Sequence, residues 1–107
     1  MSCDLELVAA RTPAVWRGLL GDDRFELARL IDQRTQEGEA VSATRVWSAS
    51  EALKKVGAMV GAPLIFVSST DDGCVVLSSG KFKIVTYATE LREREGKFVI
   101  GVLSQVD

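Results

Sequence analysis

Among its 107 residues the chain has no histidine, and this narrows the chemistry it can perform. Without an imidazole no side chain ordinarily titrates near neutral pH, so Ser-His-Asp and Cys-His nucleophilic catalysis are excluded. The commonest transition-metal ligand goes with it, leaving carboxylate clusters for Mg²⁺ or Ca²⁺. Asp71-Asp72 is an adjacent acidic pair before Gly73. Aspartates are favoured there because they bond their own backbone in a hairpin turn, and the twelve-residue calcium-loop spacing is absent. Neither a metal nor a cofactor is expected.

Ser78-Ser79-Gly80-Lys81 has the look of a phosphate loop. It lacks the upstream glycine and opens a strand rather than a helix, so the helix N-terminal amides that would hold an anion are missing. Ser68-Ser69-Thr70 and Ser78-Ser79 are expected at one end of the first hairpin, where turn solubility explains them better than ligand binding. Cys3 and Cys74 form neither a disulfide framework nor a metal-ligand spacing; both read as reduced thiols, with Cys74 in the core. No catalytic residue is therefore assigned. The residues expected to bind a ligand or partner are the large rings Trp16, Trp47 and Tyr87, together with Arg92 and Arg94 at the tip of a charged hairpin.

Composition agrees with a binding role. Thirteen basic against fifteen acidic residues give a net charge of −2, which supplies no positive field to attract nucleic acid. No apolar run approaches the roughly 20 residues that span a bilayer, and Asp4 and Glu6 stand where a signal peptide would be basic, so a cytoplasmic location without membrane contact is expected. At 47% hydrophobic and 26% charged, residues 1–107 read as one globular domain.

The elements that must position these side chains fall into two halves. In the first, Cys3 to Ala9 alternates Leu5 and Leu7 against Asp4 and Glu6, the pattern of a half-buried strand. Thr12-Pro13 starts a helix that breaks near Gly21, and Asp23 to Glu37 forms a second, amphipathic helix ended by Gly38. Ala40 to Trp47 alternates as a strand or extended connector would, and Ser48-Ala49-Ser50-Glu51 reads as a capping box. The helix it starts carries Leu53, Val56 and Val60 and stops at Gly61-Ala62-Pro63.

The second half, Pro63 to Val106, reads as four strands: Leu64–Val67, Cys74–Leu77, Phe82–Tyr87 and Phe98–Leu103. Short turns at Asp71-Asp72-Gly73 and Ser79-Gly80, and a longer charged one at Arg92–Gly96, predict an antiparallel meander. The fold class is thus α+β, a helical amino-terminal half on a four-stranded meander, with Cys3–Ala9 and Ala40–Trp47 as candidate additional strands. Both faces of the meander are apolar: Phe98, Ile100 and Val102 oppose Val99 and Leu103, and Phe82 and Ile84 oppose Val85 and Tyr87. Either the helices divide between the faces, or they share one and a second copy covers the other; the amount of helix favours a homodimer. The expected function is a non-enzymatic protein-interaction module that self-associates through an apolar sheet face or meets another protein there or at the charged hairpin. The alternative is a small-molecule binder with a pocket lined by Trp16, Trp47, Phe66 and Tyr87.

Overall fold

A computed structural model of the chain describes residues 1–59, 61–90 and 96–106. The elements in chain order are β1 (Ser2–Leu7), α1 (Pro13–Leu20), α2 (Asp22–Thr35), α3 (Glu39–Lys55), β2 (Ile65–Ser69), β3 (Cys74–Ser79), β4 (Phe82–Glu90) and β5 (Lys97–Gln105). The last four pair as the expected antiparallel meander, and β1 adds beyond β5, so the sheet runs β1-β5-β4-β3-β2. The turn before β3 depends on glycine: Gly73 has φ +95°, and a Cβ there would stand 3.1 Å from the Ala88 carbonyl oxygen. The hydroxyls of Ser68–Thr70 and of Ser78–Ser79 end up at opposite ends of the first hairpin, because Ile65 pairs with Ser78 while Ser69 pairs with Val75.

Local chemistry accounts for the first two helices. The Thr12 side chain accepts from the Val15 amide at 3.2 Å and Pro13 opens α1, while Gly21 at φ +84° separates α1 from α2. The left-handed residue closing α2 is Gln36, at φ 57°, rather than Gly38. Gly38, at φ 100°, instead precedes α3 as its N-cap.

Residues 40–47, expected as a strand or connector, are helical, and the expected capping box lies inside the same helix. The alternation misleads because α3 is enclosed on nearly every side, from Val41 through Leu53, and so needs no polar stripe to betray a helical period. Two of its buried hydroxyls are satisfied by their own helix: Thr44 donates to the Ala40 carbonyl at 2.6 Å and Ser50 to that of Val46 at 2.7 Å. At the other end α3 stops at Lys55, well short of Pro63, and Val60 lies outside the described residues.

All three helices sit on one side of the sheet. α3 rests on β1, β5 and β4; α2 packs on α3 and reaches β2; α1 packs on the other two. The core is the layer between, where Val75, Leu77, Ile84 and Leu103 meet Trp16, Phe25, Ile31 and Val46. A tight approach lies at Gly101, where a Cβ would stand 2.6 Å from Ser48 Oγ. Among the described residues no helix is long and apolar enough to cross a membrane.

Candidate functional site

With the helices on one face, no element among the described residues covers the opposite face of the sheet. Strand register arranges its side chains in rows: Leu5, Ile100, Tyr87 and Cys74 lie abreast across β1, β5, β4 and β3, and Cys3, Val102, Val85 and Val76 form the next row. Leu7 beside Phe98 extends the surface toward one end. Leu5 is 62% exposed, Leu7 56% and Tyr87 40%, and Ile65 and Val67 on the far edge strand are more than half exposed. Along β1, β3, β4 and β5, Lys83 is the single charged residue at the outward positions. Contiguous apolar surface on this scale is uncommon on proteins that act alone.

β1 shows that the pattern is built in. The strand is half-buried as expected, but the buried side is the polar one: Asp4 faces the helices and is almost fully covered, while Leu5 and Leu7 point out. A one-residue slip would exchange the two sides and bury both leucines, each at a gain of roughly 1.5–3 kcal/mol. Instead the polar side is given partners. Lys55 Nζ lies 3.3 Å from Asp4 Oδ1 and donates to the Cys3 carbonyl at 2.9 Å, and Ser2 Oγ donates to the Ala52 carbonyl at 3.2 Å. Glu6 shares the inward side, and its pKa is raised, chiefly by burial and then by the neighbouring Asp4 carboxylate, with Glu51 adding to the effect and the Trp47 side chain opposing it.

The strongest polar assembly lies elsewhere. Arg45 on α3 is buried and uses all five donors: Nε and Nη2 on the Glu37 carboxylate at 2.9–3.1 Å, Nη1 on the Thr86 carbonyl and hydroxyl, Nη2 also on the Gly73 carbonyl. Ser42 donates to the same carboxylate at 2.7 Å. The α2–α3 loop, α3, the turn before β3 and the middle of β4 are thereby tied at one point. Concavities of about 270 and 410 Å³ flank this pair. A third, of about 230 Å³, lies against Arg24, whose guanidinium pKa burial lowers and which donates to Ser50 Oγ and the Ala62 carbonyl. Arg45 is saturated, and the other cationic side chains lining the two concavities beside it are Arg34 in the first and Lys97 in the second.

The residues singled out from the sequence are dispersed. Trp16 is buried in the helical core, its ring under the Arg11 guanidinium at 4.9 Å. Trp47 is half-buried on α3, not on a connector, with the Lys54 ammonium 5.6 Å from its ring. Tyr87 stands in the outer face, Phe66 on the helix side of β2, and none of the four rings lines any of the three concavities. Arg92 and Arg94 lie outside the described residues. Cys74 belongs to the outer row rather than the core, because it pairs opposite Tyr87. Sequence reasoning missed Arg45 and Glu37; the signal available was an arginine amid Ala, Ser, Thr and Val, where a solvated charge has no place. Among the described residues no group of three or more acidic or cysteine side chains is arranged to hold a metal.

The chain matches no protein-family model, no curated protein and no solved structure.

Proposed function

We propose that this chain is a small, cytoplasmic, non-enzymatic protein-interaction module that self-associates, two copies meeting through the outer faces of their sheets. The observation that carries this reading is β1, where leucines face outward and carboxylates inward; such a strand makes physical sense only if the outward side is covered in the working state. Scale supports it. Five strands about 4.8 Å apart and averaging about seven residues present roughly 24 × 23 Å, on the order of 550 Å² in projection, and side-chain relief brings this toward the ~800 Å² each partner of a standard interface contributes. The chemistry of the face also suits a second copy. With one lysine among its outward positions it has no charge pattern for a charged partner to match, whereas two apolar sheets pack at about −30° with interdigitated side chains. Its edges suit pairing less: Lys55 sits against the backbone of β1, and β2 has a register shift between Phe66 and Ser68. Unpaired Cys3 and Cys74 accord with a reducing compartment.

Light scattering behind a sizing column tests the proposal. A mass near twice 11.6 kDa is expected at micromolar concentrations, falling to the monomer value in Ile100→Lys and Tyr87→Lys with thermal unfolding little changed. A monomeric mass at every concentration would overturn self-association. A dimer that survives both lysines would place the contact on another surface.

A further inference from the structure

The inward side of β1 carries a device that regulates this same face, an inference that rests on the reading of the outer face as the site of self-association. We infer that a proton-bearing Glu6 carboxyl donates to Asp4 beneath β1, forming a pH-sensitive latch that sets how firmly the strand bearing Leu5 and Leu7 is held against α3. The geometry is specific. Asp4 and Glu6 are two residues apart on one strand, so both project to the helix side. Asp4 is buried; its Oδ1 is taken by Lys55 at 3.3 Å, and its Oδ2 is buried with no partner among the described residues. A protonated Glu6 fits that vacancy as donor, since a protonated carboxyl has one O–H and Asp4 Oδ2 has lone pairs to spare.

The surrounding charges explain why the proton stays. From α3 come Glu51, Lys54 and Lys55, with the Trp47 indole beside them; from β5 come Val99 and Gly101, which do not titrate, and Lys97 at the next position along that side. Lys54 is engaged with Glu51 at 3.1 Å. Lys55 is engaged with Asp4, and ionising Glu6 sets two carboxylates against each other on a half-covered surface. Burial, the neighbouring Asp4 carboxylate and the Glu51 charge all raise the Glu6 pKa, and Trp47 lowers it. A group that holds its proton more tightly in the folded state stabilises that state fully below its unfolded pKa, and the stabilisation disappears as pH climbs through the raised value. β1 is therefore clamped on the acid side and loosened toward neutrality.

Amide hydrogen exchange, corrected for intrinsic rates, reads the latch at dilutions where the chain is monomeric. Between about pH 4.5 and about pH 7.5, protection of the β1 amides should fall several-fold relative to those of β3 and β4. Glu6→Gln, whose amide N–H donates to Asp4 Oδ2 at any pH, should keep β1 protection level across the range. Equal loss in the wild type and Glu6→Gln, or no loss in either, would overturn the latch. Light scattering at the same two pH values separates the two proposals. A chain that is monomeric throughout, yet shows the pH-dependent β1 exchange, loses the self-association and keeps the latch; one that dimerises with flat β1 exchange loses the latch alone.

Discussion

Truncating Glu37 to alanine leaves a guanidinium in the interior with two donors, Nε and one hydrogen of Nη2, facing no acceptor. Arg45 is 1% exposed, and its remaining bonds to Thr86 and Gly73 hold it in place, so it cannot swing out to water. Removing one member of a buried pair costs about 3–5 kcal/mol, since the other charge stays desolvated and uncompensated. Glu37 is 15% exposed at its side chain, which lets water approach the gap and puts the expected value near the lower end, about 3 kcal/mol. Against a total stability of roughly 5–15 kcal/mol that is a large fraction, and at roughly 4 °C per kcal/mol for a domain of this size it lowers the melting temperature by roughly 12 °C. Urea unfolding followed by circular dichroism measures it, with the slope checked for constancy. The same loss should persist in high salt, because a buried pair is screened little. The double variant Glu37→Leu/Arg45→Met should recover most of the stability, because it removes both charges and fills the space. A cost under about 1 kcal/mol for Glu37→Ala would show that water reaches Arg45 freely, and would refute the idea that this pair fastens the helices to the sheet.

Two further substitutions test the packing. Gly101→Ala places a Cβ 2.6 Å from Ser48 Oγ where α3 crosses β5, and should destabilise by about 1–3 kcal/mol; adding Ser48→Ala removes the offending oxygen and should restore most of the loss, both read by urea unfolding. Thr12→Ala deletes the acceptor for the Val15 amide and should cost about 1 kcal/mol, whereas Thr12→Ser should cost much less, with melting temperature as the readout.

Much of the architecture was legible in the residues themselves. Four runs rich in β-branched and aromatic residues, separated by Gly73, Gly80 and Gly96, define a meander because short turns leave neighbouring strands no choice but to pair. The opposed sets in β4 and β5 foretold two apolar faces because side chains alternate strictly along a strand, and the structure keeps every one of those assignments. Thr12-Pro13 and Gly21 marked helix boundaries through local backbone chemistry that needs no tertiary context.

What only the tertiary structure decided concerns how elements meet. Residues 40–47 became helix because α3 is enclosed by the sheet and two helices, an environment that accepts apolar side chains all round and lets hydroxyls bond their own backbone; no period in the sequence records enclosure. Arg45 became a buried fastener because Glu37, Gly73 and Thr86, distant in sequence, supply acceptors in the geometry of its planar fork. The side of β1 that turns inward was set by its pairing with β5, which carries Asp4 under α3 and leaves Leu5 and Leu7 on the open face. Alternation divides a strand into two sides; only the partner strand and the helix above it determine which side is covered.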